Sequence, residues 1–392
     1  MRTGTGTQRP RRRAFRIVTW LAPILVVGAG GFVATQPDDV SYRARLDALY
    51  QKLPDAYFAA KLDGPPARSG DYVLNPKLQY RFQWAAKNYD FDATRKLWEI
   101  PAQRQAIRDS VDLGWTYRAL ASAPMKSVQD RRIPGPDGTL LPIRIYLPHT
   151  QRDTALPVMV YYHGGAFVMG SIKAVDRTVK VIANEAESIV VSVDYRLAPE
   201  HPYPAANADA IAAYDWVAQH AAEFGGDPHR IAVGGDSAGG YLSVVVSNQQ
   251  IENGRAPPVY QLLYYPAADF RMNYPSARKF AKGFGLDLPL IDFAIENTFP
   301  HGLDTSDPLT HVVDLPTLGR MPPSLISVAG FDPIRDSGIA LARRMQAAGV
   351  QVELRVEGSL AHNFLEYSGV IADAKQAALE TARAYGRFIW NK

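Results

Sequence analysis

The residues best able to do chemistry stand together in Gly235-Asp-Ser237-Ala-Gly239. This is a G-x-S-x-G arrangement, which presents a serine on a sharp turn between a strand and a helix. The run Ile231-Ala-Val233 reads as a buried strand, and Tyr241 to Gln250 reads as the helix that follows. So sharp a turn forces the serine into a strained backbone conformation. Glycines two before and two after it remove the β-carbons that would collide there. The serine oxygen then stands clear of the sheet at the positive end of a helix. A serine nucleophile also needs a base, an acid that orients the base, and oxyanion donors. His362 follows a strand ending near Val356, through the short loop 357–361. Asp332 follows a strand ending near Val328, within Gly330-Phe-Asp332-Pro-Ile-Arg-Asp336. The order Ser237, Asp332, His362 is the one that accompanies a G-x-S-x-G turn. Asp336 competes with Asp332, but it reads as a first-turn helix residue and lies further from the strand end. For the donors, His163-Gly-Gly-Ala-Phe167 follows the strand Val158 to Tyr162. The N–H groups of Gly164, Gly165 and Ala166, with that of Ala238, are the candidates. His163 is expected to shape this loop by hydrogen bonding.

These residues must be positioned by the elements between them. From Lys126 onward strands and helices alternate. A hairpin turns at Gly135-Pro-Asp-Gly138, and later strands lie at 188–194, 260–265, 324–328 and 351–356. Helices are expected at 175–186, 208–224, 334–348 and 370–390. That rhythm implies an α/β fold, a mostly parallel sheet flanked by helices on both faces. Sites in such sheets lie at the carboxyl ends of the strands, where each candidate residue falls. Residues 60–76 are rich in Pro, Gly and Asp and read as a loop. Thr94 to Ala121 carries a helical stripe through Leu97, Ile107, Val111, Trp115 and Leu120, interrupted at Pro101.

The chain has 392 residues, a net charge of +4 and a pI near 9.0. The basic excess is confined to one end. Residues 1–37 carry six arginines and no acid, which leaves 37 basic against 39 acidic residues in the body. A near-neutral body gives no reason to expect a nucleic-acid partner. Arg9 to Arg16 followed by 18 uncharged residues, Ile17 to Ala34, reads as a signal peptide or a membrane anchor. Either reading places the body outside the cytoplasm, periplasmic, secreted or anchored in the cytoplasmic membrane. The absence of cysteine suits an oxidising compartment and excludes thiol chemistry. No metal cluster or phosphate loop is evident, so no cofactor is implied.

Five stretches together resemble the hormone-sensitive-lipase-like family of microbial esterases and lipases within the α/β-hydrolase fold. They are His163-Gly-Gly-Ala-Phe167, the run Asp194 to Ala206 with its Tyr-Arg-Leu-Ala-Pro-Glu-His core, Gly235 to Gly240, Asp332 to Asp336, and His362-Asn-Phe364. The resemblance covers about residues 125–390. It implies a Ser237–His362–Asp332 triad acting on small-molecule esters, with the His-Gly-Gly stretch supplying oxyanion donors. It makes Asp194 and Arg196 structural ion-pair and loop residues. It also implies a helical cap, built here from 38–124 and an insertion at about 270–320, over a catalytic domain at 125–392. Ala166 stands where the family has a third glycine, which narrows the space on the alcohol side. A deacetylase or lactonase of a small metabolite would use the same residues. Related plant hormone receptors lack the histidine that His362 provides. Oligomeric state is not legible in the sequence.

Overall fold

The computed structural model describes residue 50 and residues 52–391. The basic and apolar segment 1–37 lies outside them. Among the described residues, no helix is long and apolar enough to cross a membrane.

Among the described residues, the N-terminal helices include α1 (Asp55–Ala59), α2 (Pro76–Asn88), α3 (Phe91–Trp98) and α4 (Pro101–Arg118). The α2 helix lies inside the region 38–124 expected to be helical, although it has no expected bounds of its own. Its start is nonetheless locally encoded, because Asn75 caps it through a bond from the Lys77 N–H and Pro76 takes the first helical position. The expected interruption at Pro101 is the boundary between α3 and α4. A small two-stranded hairpin, Arg68–Ser69 with Tyr72–Val73, occupies the stretch expected to be loop.

The rest alternates: β1 (Ser127–Pro134), β2 (Leu140–Leu147), β3 (Leu156–Tyr162), α5 (Asp176–Ala186), β4 (Ile189–Val193), α6 (Ala205–His220), β5 (Gly226–Asp236), α7 (Ala238–Glu252), β6 (Gln261–Tyr264), α8 (Pro275–Lys279), α9 (Leu288–Thr298), β7 (Ser324–Phe331), α10 (Arg335–Ala347), β8 (Val352–Ala361) and α11 (Ala372–Trp390). Eight strands form one sheet in the order β8-β7-β6-β5-β3-β4-β2-β1. From β8 to β4 every neighbouring pair is parallel, and β2 joins β4 and β1 antiparallel. Every residue of β3 is buried, as a strand covered on both faces requires. Its side chains alternate between two cores. Val158, Val160 and Tyr162 join the α6, α7 and α10 side, while Met159 and Tyr161 join the α5 and α11 side.

The chain leaves β3, forms β4 on one side of it, then crosses to form β5 on the other side. Strand order therefore reverses between β3 and β5. The loops leaving these two carboxyl ends open a crevice, where open α/β sheets bind their ligands. The β8 strand runs on through Glu357–Ala361, which was expected to be a loop. A bulge lies there, with Glu357 opposite Ala329 and Ala361 opposite Phe331. Bulges re-aim a strand beside a site, and His362 follows directly.

Candidate active site

Ser237 stands between β5 and α7 at φ 53° and ψ −114°. An L-residue avoids this region, so neighbouring bonds must impose it. The Ser237 N–H donates to Tyr264 O at 2.9 Å, and Ser237 O accepts from the N–H groups of Tyr241 and Ala267, each at 3.1 Å. The flanking glycines are forced by the end of β3. A β-carbon on Gly239 would stand 1.8 Å from Tyr162 O, and one on Gly235 would stand 2.6 Å from the same oxygen.

The structure brings Ser237, His362 and Asp332 together. His362 Nε2 lies 3.1 Å from Ser237 Oγ, and His362 Nδ1 lies 2.8 Å from Asp332 Oδ2. Asp332 is fully buried, and its Oδ1 accepts the Ile334 N–H at 2.9 Å. A carboxylate bonded to Nδ1 leaves Nε2 bare toward the serine, the tautomer a general base needs. The Tyr265 ring meets the imidazole edge-on at a centroid distance of 4.8 Å and meets Phe364 at 4.9 Å, which fixes the ring plane. Asp336 is elsewhere. Its Oδ1 accepts from Arg335 Nε and its Oδ2 from the Ser276 N–H, so it fastens α8 to α10.

The loop after β3 needs one correction. The Gly164 N–H is occupied, donating to Asp236 Oδ1 at 3.0 Å, and so it is not an oxyanion donor. The N–H groups of Gly165, Ala166 and Ala238 have no acceptor among the described residues, and Ala238 opens α7. The loop is sharply folded, with φ of 120° at Gly165, 54° at Ala166 and 64° at Phe167. His163 bonds Gly164 O through Nδ1 at 2.7 Å and stacks on Tyr195 at 4.2 Å. Burial lowers its pKa, so it stays neutral and serves the loop's shape.

Asp236 was not singled out in the sequence beyond its place in the motif. It is buried, and its Oδ1 also accepts the Tyr161 hydroxyl at 2.9 Å. Burial pushes its carboxyl up to about 6, against the lowering effect of Tyr161 and the Gly164 N–H. Arg196 is bound to Asp209 by several bonds, the shortest 2.7 Å, and Asp194 Oδ1 accepts the Ile172 N–H. Both hold structure away from the serine.

Above Ser237 and His362 lies a cavity of about 330 Å³. It is walled by α3, α4 and α9 through Phe91, Trp98, Ile107, Val111, Leu290 and Phe293. Trp98 and Phe293 meet edge-to-face at 5.3 Å, and Arg95 pairs with Glu296 at 2.6 Å across the same seam. The expected cap regions carry six large aromatics that could shorten an acyl pocket, Tyr80, Phe82, Trp84, Phe280, Phe284 and Phe293, and of these Phe82 and Phe293 line the cavity. Tyr80 packs on Phe58, and Phe280 and Phe284 pack on Phe331.

The chain is similar to known esterases in sequence and in fold. A family model described as the alpha/beta hydrolase fold matches residues 159–366. The chain is 43% identical to Carboxylesterase NlhH of Mycobacterium tuberculosis over 259 residues, 65% of this chain and 80% of that protein. It is 43% identical to Esterase LipI of the same organism over 281 residues, 71% of this chain and 85% of that protein. Among solved structures, an ester-hydrolase from the metagenome of Lake Arreo, complexed with a derivative of bipyridine phosphonate, superposes with a TM-score of 0.74 at 32% identity. That match covers 81% of this chain and 99% of that one. The esterase of the archaeon Pyrobaculum calidifontis superposes at 0.69 with 30% identity, covering 76% and 98%.

Proposed function

The chain belongs to the hormone-sensitive-lipase-like esterases of the α/β-hydrolase fold, and on that footing we propose that it hydrolyses short- to medium-chain carboxylic esters through an acyl-enzyme on Ser237. The observation that carries this reading is the unbroken line Asp332–His362–Ser237, at 2.8 and 3.1 Å. His362 Nε2 takes the Ser237 proton as Oγ attacks the ester carbonyl. The negative oxygen that forms is met by the N–H groups of Gly165, Ala166 and Ala238. His362 then gives its proton to the departing alcohol. Water, activated by the same imidazole, releases the acyl group and restores the serine. Asp332 holds the imidazole in the needed tautomer and stabilises its cation.

Chain length follows from the cavity. Ligand pockets run about 300–1,000 Å³, and this one stands at the small end. Each methylene buried in it contributes about 0.8 kcal/mol until the space is full. Beyond that point further methylenes clash or stay wet. The Trp98–Phe293 pair forms the rigid wall that sets the limit. With nitrophenyl esters of graded length, kcat/KM is expected to rise from acetyl to about butyryl or hexanoyl and then to fall, with no activation by an oil–water interface. Activity that climbs steadily to palmitoyl and rises on emulsions would contradict the reading. The Ala166 methyl beside Ser237 is expected to make esters of tertiary alcohols poor substrates. The work is further proposed to take place outside the cytoplasm, on the strength of the arginine-rich, then apolar, segment 1–37.

A further inference from the structure

The oxyanion loop is held by a residue of the N-terminal helical layer. Arg108, on α4, is buried beneath it. Its Nε donates to Val168 O at 2.8 Å, and its Nη2 donates to Ala198 O at 2.8 Å. Nη1 and Nη2 also clamp Glu200, at 3.0 and 2.8 Å. Ala198 in turn donates its N–H to Phe167 O at 2.9 Å. The guanidinium rests over the Trp98 ring, 5.2 Å from its centroid. Arg104, one turn earlier on α4, shares Glu200 and Trp98 but makes no bond to the loop. Its bonds are to Trp98 O and Glu200 Oε1, each at 2.9 Å.

Two facts make this anchor matter. Ala166 and Phe167 sit at positive φ, which side-chain-bearing residues leave unless held. And Val168 is rigidly tied to the donor segment, because Gly165 O accepts the N–H groups of both Val168 at 3.1 Å and Met169 at 3.0 Å. Fixing Val168 O therefore fixes where the Gly165 and Ala166 N–H groups point. Oxyanion donors act only when already aimed at the place where charge develops. The apolar contacts agree, for Val168 and Ala198 belong to the same cluster as Trp98, Ile107 and Phe293 of the cap.

We infer that Arg108 is a positioning residue through which the cap helix α4 sets the oxyanion loop, so that acyl transfer requires this helix to be docked. The inference rests on the proposed acyl-enzyme reaction at Ser237. Substrate packing against α3 and α4 then stabilises the same docked arrangement that aims the donors. A truncated chain lacking α4 would keep its triad and lose its oxyanion hole.

The test uses the whole chain and three variants, R108M, R108K and R104M, on nitrophenyl butyrate, with a trifluoromethyl ketone of matching length as an oxyanion mimic. For R108M, kcat is expected to fall about tenfold or more, with the ketone's affinity weakened by a similar factor and KM within about twofold. R108K, which keeps the charge but cannot bridge two carbonyls and a carboxylate, should fall between. R104M should keep kcat within about twofold, although it too loses a bond to Glu200. A merely structural role would lower melting temperature in R104M and R108M alike without splitting kcat and ketone affinity between them. Near-wild-type kcat and ketone affinity in R108M, or an equal loss in R104M, would overturn the inference. Should R108M not fold, wild-type kcat in R108K overturns it equally. A fully active S237A variant would sink the acyl-enzyme reading itself. An inactive S237A beside a fully active R108M would sink only the role given to Arg108.

Discussion

Ser237, Asp332 and Asp236 each depend on where their neighbours put a proton. Replacing Ser237 or His362 by Ala is expected to leave a folded protein with esterase activity reduced ~10³-fold or more. Asp332→Asn should cost more activity than Asp336→Asn, because Asp332 touches His362 while Asp336 is spent on Arg335 and Ser276. Steady-state kinetics on the four variants checks both statements, and a worse Asp336→Asn would reverse the assignment of the acid. Asp236 makes a different point. Its carboxyl titrates near 6 in the folded chain, above the ordinary value of about 3.9. Between those two values the folded state holds the proton that the unfolded state has lost. Stability associated with this group is therefore present at low pH and lost as pH rises through about 6. Asp112, half-buried and raised to about 6 chiefly by desolvation, acts in the same direction. Urea midpoints at pH 4.5 and pH 7.5 are expected to differ less in D236N than in the wild type. An unchanged difference would mean Asp236 is not the titrating group.

At the scale of elements, the α/β alternation was legible because its strands carry unbroken apolar runs and its turns carry glycine. The elbow was legible because close approach to Tyr162 permits only glycine at 235 and 239. What stayed hidden depends on contacts distant in sequence. Nothing local marks the Gly164 N–H as taken by Asp236, 72 residues away. Nothing in the stripe Ile107, Val111, Trp115 reveals that Arg108 beside it reaches Val168. The one available signal was Arg104 and Arg108 four apart, beside the apolar stripe of Ile107 and Val111 on the same helix. Which cap aromatics face the cavity was likewise open in the sequence, and Tyr80, Phe280 and Phe284 go into packing between elements. For α9 this gives a direct expectation. Phe293→Ala removes the ring facing Trp98 and should move the chain-length optimum to longer acyl groups. Folding stability should fall by about 3 kcal/mol, near the lower end for such a change because the ring already borders open space. A chain-length profile and a denaturation curve on the same sample read both effects, and an unmoved optimum would exclude α9 as the limit.

The whole sequence joins a near-neutral catalytic body to a segment, 1–37, that is rich in arginine and then apolar. A chain beginning at Asp38 is expected to be soluble and active, and the full-length protein to fractionate outside the cytoplasm, anchored or released. Cell fractionation with activity assays decides this, and full-length protein found only in the cytosol would refute the targeting reading. The central claim concerns the body, where a sheet that reverses its strand order between β3 and β5 gathers a serine, a histidine and an aspartate from three separate strand ends. The most direct measurement is covalent titration with a fluorophosphonate, followed by mass spectrometry of the digested protein. One equivalent should add to the peptide bearing Ser237 as esterase activity disappears, and the His362→Ala variant should label far more slowly. Loss of activity without modification of Ser237, or full labelling in the absence of His362 at the wild-type rate, would contradict it.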